Sequence, residues 1–276
     1  MGYGMVEHLV KLGWNVTIVD FNETTGKQAE EKFGNQVLYI RGNVTKYDEQ
    51  AAAFVQTFKK WGRLDLVWGN AGIGDRINFF EPKDEDASGA PPQPDTLVVD
   101  ICLYGCIWTS YLALHFFRKN ESKSGKLVMT SSMAGLYPAG SIPLYGASKH
   151  GVVGLTRSLA QTLQARKEKI TVNCLCPGLV PTALPAQALI DAFPKDRLTP
   201  ISTIIKAVEG FLNDDSVTGQ AAECSGENIY YRPAHSIIDD NADYLVGGKF
   251  AKEIVIDIDV LATDSIEKGK NIDAML

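Results

Sequence analysis

Scarcity narrows the chemistry first. Only 4 histidines and 5 cysteines occur among 276 residues, and no second Cys/His pair stands at zinc-ligand spacing. An odd cysteine count without a secretion signal excludes a disulfide framework and points to reduced thiols. Cys174 and Cys176 flank one residue of an apolar, strand-like run, so both are expected on one face as buried structural thiols rather than metal ligands. Basic residues are in deficit, 27 Lys and Arg against 33 Asp and Glu, a net charge of -6. That balance argues against nucleic acid as a partner. Read along the sequence, no apolar run approaches the length that spans a bilayer. The opening MGYGMVEHLVKLGWN lacks the charged flank, long apolar run and cleavage site of a signal peptide. A cytoplasmic protein is the expectation. Internal repeats and low-complexity segments are also missing.

What is present is an ordinary globular composition, 45% hydrophobic and 22% charged, long enough for one α/β domain. Apolar residues at helical spacing (Met5, Val6, Leu9, Val10) predict a helix ended by Gly13, followed by a strand WNVTIVD to Asp20. Asn22 is a candidate cap for a helix to about Phe33. Further elements follow in alternation: a strand Val37 to Ile40, a helix Lys46 to Trp61 and a strand Leu64 to Asn70. After Pro91, Pro92 and Pro94 come a long helix from about Asp95 to Arg118, a strand Lys126 to Ser132, a helix Tyr145 to Arg166 and a strand Ile170 to Cys176. A helix near Ile201 to Leu212 and a last core strand near Ala222 to Ile229 complete the series. Continuous apolar strands separated by helices predict a doubly wound, Rossmann-type parallel sheet with helices on both faces. The domain is expected to span residues 1–231, with 232–276 as its C-terminal extension. There, IVIDIDV (Ile254 to Val260) reads as a half-exposed strand.

The chemistry concentrates in PLYGASKHG. Tyr145 and Lys149 are one helical turn apart and so share a face, and Ser132 stands thirteen positions upstream at a strand end. An ammonium beside a phenol stabilises the tyrosinate, and a phenol so tuned can exchange a proton with a substrate oxygen. Ser132 is placed to hold that oxygen. A Tyr-x3-Lys pair alone is weak, since an exposed helix pair looks the same. The preceding Ser131-Ser132 and the apolar helix supply the context.

With these motifs the sequence resembles the short-chain dehydrogenases/reductases, over Gly2 to about Tyr231. The stretch SSMAGLYPAGSIPLYGASKHGVVGLTRS is most like the branch of NAD-dependent hydroxyprostaglandin dehydrogenases and their fungal relatives. The resemblance implies a catalytic set of Ser132, Tyr145 and Lys149, with Lys149 also binding the nicotinamide ribose. It implies that Gly2, Tyr3 and Gly4 end a glycine-rich turn at the pyrophosphate. Asp20, followed by Phe21, takes the adenosine ribose hydroxyls, which favours NAD over NADP. Asn43 and Val44 lie beside the adenine, and Asn70, Ala71 and Gly72 on the adenosine side. Pro177, Gly178, Val180 and Thr182 approach the nicotinamide. The apolar segments Ala139 to Pro143 and Ala183 to Lys195 imply a small, hydrophobic secondary alcohol or ketone as substrate. A homodimer or homotetramer joined through the two long helices is implied as well.

Two departures stand out. The family's Asn in the long helix aligns with Cys102, and a thiol is a poor substitute for an amide in holding water. The first strand and the opening Thr-Gly of the glycine-rich turn have no counterpart ahead of Met1-Gly2, so the sheet is expected to lack its first strand. These features keep a second reading open, a catalytically impaired relative with a binding or scaffold role, or a truncated gene product. A sugar-nucleotide epimerase shares Tyr-x3-Lys but needs a longer substrate domain than this tail offers.

Overall fold

The computed structural model describes residues 1–247, of which Met1–Pro233 form one compact unit. Helix α1 (Gly2–Lys11) buries Met5 and Leu9, one turn apart, and Gly13 takes the left-handed turn (φ 84°) beyond its end. Strand β1 (Val16–Asp20) leads to α2 (Glu23–Phe33), whose cap Asn22 accepts a hydrogen bond from the Thr25 amide. β2 (Val37–Arg41) pairs in parallel with β1, Val16 opposite Val37 and Asp20 opposite Arg41. Helix α3 (Tyr47–Trp61) ends on the left-handed Gly62, and β3 (Leu66–Gly69) follows.

The expected long helix is a run of three pieces. These are α4 (Leu97–Val99), a π-helical segment Asp100–Tyr104 and α5 (Gly105–Phe117). The run Leu97–Phe117 is long and apolar enough, by length and composition, to cross a membrane, which corrects the expectation that no such segment exists. Here it packs against α3, β3 and β4 as a core helix, so its apolar composition has an inward use. The remaining elements are β4 (Ser124–Thr130), α6 (Pro143–Ala165), β5 (Lys169–Pro177), α7 (Gln187–Ala192) and α8 (Ile201–Asn213). The single last strand expected near Ala222 to Ile229 is instead two. β6 (Ala221–Ser225) turns at Gly226 (φ 55°) into the antiparallel β7 (Asn228–Arg232). The polar Ser225-Gly226-Glu227-Asn228 stretch forms that turn.

β4 shows why its sequence is a continuous apolar run. Leu127 and Met129 face one core with Phe117, Val152 and Val172, while Val128 faces the other with Leu175, Ile204 and Phe211. This is the doubly wound, Rossmann-type α/β arrangement, with strands in the order β3-β4-β5-β6-β7 in one sheet and β1-β2 in another. Among the described residues no strand joins the two. Between them lies a cavity of about 1560 Å³, lined by β1, by β3, by Met5 and Leu9 of α1 and by Ala53 and Thr57 of α3. In the second unit α9 (Asp240–Val246) is capped by Asp239, which accepts from the Ala242 amide. The IVIDIDV run lies outside the described residues.

The open edges of β1 and β3 present unpaired backbone groups to that cavity. A six-residue apolar strand ending in Thr-Gly, joined ahead of Met1 by a short glycine turn, should fill it. Gaining ladder bonds and apolar contacts worth several kcal/mol, the extended form should melt higher by about 5 °C or more. Thermal denaturation of both forms checks this, and equal melting points would contradict it.

Candidate active site

Two close contacts bring the exit of β4 onto α6. Ser131 Oγ donates to the Lys149 carbonyl at 2.8 Å. Gly135, in the 3-10 turn Met133–Gly135, sits where a Cβ would come within 2.6 Å of the same carbonyl, so only glycine fits there. Ser132 lies two residues past the end of β4 rather than on it, and caps that turn by accepting from the Ala134 amide (3.2 Å). The turn carrying Ser132 therefore abuts the helix that carries Tyr145 and Lys149.

α6 starts at Pro143, whose fixed φ and missing N–H suit the first helical position. Tyr145 stands in its first turn and Lys149 in its second. Lys149 is 1% exposed, an ammonium buried in the core. Its Nζ donates to the Thr130 carbonyl at 2.8 Å and stands 5.3 Å from the centre of the Tyr145 ring. A cation so placed favours any negative charge that develops on the phenol. A charge-stabilised phenol, a nearby hydroxyl and an ammonium can together move a proton to or from a bound oxygen.

The other expected residues gather around this centre in three groups. At the start of α1, a Cβ on Gly2 would lie 3.2 Å from Asn70 Nδ2, so the first turn of α1 meets the loop after β3. Tyr3 turns outward instead, 51% exposed, with its hydroxyl accepting from Lys32 Nζ (2.7 Å) and its ring against Phe33. Gly4 abuts Ile201 of α8. Asn70 accepts from Thr130 Oγ1 (3.2 Å), which itself accepts from Trp68 Nε1 (2.8 Å). Ala71 lines the large cavity, and Gly72 would bring a Cβ within 3.5 Å of both Lys149 Nζ and Cys102 Sγ. Cys102 is fully buried in the π-helical segment and donates to the Ile73 carbonyl (3.4 Å).

Asp20 ends β1 with one carboxylate oxygen accepting from the Asn22 amide two residues on (2.8 Å), an Asx turn. Phe21 is exposed, with the Arg41 guanidinium 5.0 Å from its ring centre. The Asn43 side-chain oxygen accepts from the amide and hydroxyl of Thr45 (3.0 and 2.9 Å). Val44 packs on Gly105. Behind the centre, Pro177 closes β5 and the Gly178 amide donates to the Cys224 carbonyl (2.9 Å). A Cβ there would meet Thr199 and Met133, the residue after Ser132. Val180 is buried, and the Thr182 amide turns back onto its carbonyl.

Sequence reasoning passed over several partners. The Thr130 carbonyl, Ser131 and Gly135 fix Lys149 through backbone atoms, which no residue type announces. Asp75 accepts from the Leu144 and Tyr145 amides (3.1 and 2.6 Å), a contact spanning seventy positions.

The family model for short chain dehydrogenases matches residues 1–191. The chain belongs to that family. A short-chain dehydrogenase/reductase of Penicillium rubens, prx7, is 35% identical over 87% of this chain and 93% of its own length. The human 15-hydroxyprostaglandin dehydrogenase [NAD(+)] is 32% identical, covering 67% of this chain and 65% of its own. A solved 3-ketoacyl-(acyl-carrier-protein) reductase from Brucella melitensis, complexed with NADH, superposes with a TM-score of 0.69. It is 24% identical and covers 82% of this chain and 92% of that one, which supports the family fold.

All five cysteines are reduced and buried. Burial pushes the Cys106 thiol up to about 11 and Cys224 up to about 12, and its hydrogen bond to Cys174 together with burial raises Cys176. Among the described residues no group of three His, Cys, Asp or Glu side chains could hold a metal ion. A thiol reagent at pH 8 should therefore label less than about one thiol per folded chain within minutes, and all five after unfolding. Rapid native labelling of two or more would contradict this packing.

Proposed function

We propose that the chain is an NAD-dependent dehydrogenase/reductase interconverting a secondary alcohol and a ketone of a small, hydrophobic molecule. The observation that carries this is the buried Lys149 ammonium beside the Tyr145 ring, pinned to the turn that bears Ser132. A charge is not buried in a core without use, because desolvation costs several kcal/mol unless partners compensate. Among the described residues its hydrogen-bond acceptor is the Thr130 carbonyl, which leaves donors for ribose hydroxyls. Gly72 leaves space beside it that a side chain would fill.

The residues present thus fit a nicotinamide dinucleotide. Lys149 would hold its ribose, and Pro177, Gly178, Val180 and Thr182 would line the nicotinamide side. Gly2, Tyr3 and Gly4 would lie at the pyrophosphate, Asp20 and Phe21 at the adenosine ribose, and Asn43, Val44, Asn70, Ala71 and Gly72 along the adenosine. Bound there, the cofactor supplies the redox chemistry. In our reading Tyr145 takes the alcohol proton or returns it to the ketone oxygen. Ser132 anchors that oxygen, and Lys149 stabilises the phenolate formed when Tyr145 has given its proton up. Cys102 cannot hold water as an amide would, so proton exchange with solvent is expected to be slower. The names of the human relative, with NAD(+), and of the Brucella neighbour, with NADH, support the cofactor class. We also place the protein in the cytoplasm, as a homodimer or homotetramer in which the exposed Tyr104 and Tyr111 are covered.

A second reading, a catalytically impaired relative, is favoured by one observation. The cavity between β1 and β3 opens the sheet at Gly2, Asp20, Asn70 and Ala71, where the cofactor would rest.

A fluorescence titration with NADH separates the two, since the impaired reading expects no saturable binding. Asp20 should favour NADH over NADPH by more than tenfold, about 1.4 kcal/mol or more. Equal binding of both would remove that role for Asp20. Tyr145→Phe keeps the ring and removes the proton donor, so turnover should vanish while NADH affinity stays within about twofold. Near-normal turnover in this variant would overturn the mechanism.

A further inference from the structure

The N-terminus of α6 poses an accounting problem that one residue solves. A helix leaves its first N–H groups without intrahelical acceptors. In α6 Pro143 has no N–H, and the Gly146 amide already donates to the Ile142 carbonyl (2.9 Å). Two donors remain, Leu144 and Tyr145. Neighbouring chain does not serve them, since Ile142 offers no side-chain cap and the first turn holds no acidic residue. Both go to Asp75, one to each carboxylate oxygen, at 3.1 and 2.6 Å. A carboxylate at this end also meets the positive pole of a helix 23 residues long.

Asp75 is itself well anchored. It belongs to the loop that follows β3 and carries Asn70, Ala71 and Gly72. Two residues before it, the Ile73 carbonyl accepts from Cys102 Sγ. One residue after it, Arg76 pairs with Asp95 at 2.8 Å, just ahead of α4. The second turn of α6 is fixed separately, by Ser131 on the Lys149 carbonyl. Among the described residues no hydrogen bond from β4 reaches the backbone of the turn bearing Tyr145, whose free amides go to the β3 loop.

We propose that Asp75 is a positioning residue for Tyr145. It caps α6 from a distance and sets the height of the tyrosine against the loop expected to carry the cofactor. The inference rests on the reading of Tyr145 as the proton donor. Asp75 acts on Tyr145 through the backbone amides it accepts from. A misplacement of about 1 Å at a reacting group can cost up to a hundredfold in rate, so a cap on this turn has leverage on kcat.

The test compares Asp75→Ala, which removes both acceptors, with Asp75→Asn, which keeps one oxygen and is a good helix cap. Amide hydrogen exchange of the peptide 141–147 is read without cofactor. Turnover is read with NAD or NADH on the best substrate from a panel of hydrophobic secondary alcohols and ketones. We expect Asp75→Ala to exchange faster in 141–147 and to lose about tenfold or more in kcat. KM and NADH affinity should stay within about threefold, and Asp75→Asn should recover much of the loss. If Asp75→Ala unfolds, the asparagine variant carries the comparison.

Unchanged protection of 141–147, or a kcat within about twofold of the parent, overturns the inference. So does a fall in kcat matched by an equal loss of NADH binding, which marks general damage. Tyr145→Phe is run alongside. If it keeps turnover, the catalytic reading itself has failed. If it abolishes turnover while Asp75→Ala does not lower kcat, only the positioning role is lost. If the parent turns nothing over, the exchange measurement alone decides whether Asp75 sets this turn.

Discussion

A buried ammonium organises this molecule. Lys149 sits in the core with its Nζ on the Thr130 carbonyl and its own carbonyl held by Ser131. Those bonds join α6 to the exit of β4 at the height where Ser132 emerges. They also require the bare backbone of Gly135 and the open space at Gly72. Removing partners from a buried charge costs several kcal/mol, so each of these neighbours is constrained by the same charge. A lysine kept this way has only a modest structural use. Its position beside a phenol is where a proton-transfer centre needs a cation.

The sheet is the less settled half of the fold. β3 to β7 form a continuous layer, buried most deeply at β4, β5 and β6, whereas β1 and β2 stand apart across a cavity of about 1560 Å³. α1 and α3 line it from either side, and Trp61 ties α3 to β1 through Thr17 Oγ1 (2.9 Å). The proposed proton-transfer centre is built on the continuous layer. The residues expected to hold the adenosine half, Asp20 among them, border the open side. In the proposed reading the adenosine-side residues and the catalytic residues therefore rest on different parts of the structure, with Lys149 serving both the phenol and the cofactor ribose.

Much of this was legible in the sequence where periodicity and residue type coincide with the physics. Asn22 caps α2, Gly13 follows a helix end, and the apolar β4 and β5 runs are strands buried on both faces. Tyr145 and Lys149 share a helix face because their spacing dictates it. Other features depend on tertiary neighbours and left no local mark. The 97–117 helix has an apolar surface on nearly all sides, and only its packing shows that it lies within the fold. The Asn43 side-chain oxygen pairs with Thr45, a contact that its residue type does not announce. Asp75 reads as an ordinary loop acid, because nothing in its surroundings names the helix it caps.

The central claim is that the Lys149 charge serves a bound nicotinamide dinucleotide rather than the stability of the core. Lys149→Met removes the ammonium and keeps comparable length and volume, so the core should hold together, with a melting point equal to or above that of the parent. Calorimetric titration with NADH, run beside those melts, is the direct measurement. The account predicts a loss of about tenfold or more in NADH affinity without loss of stability. Undiminished NADH affinity, or a fold that collapses while the parent itself binds no NADH, would contradict it.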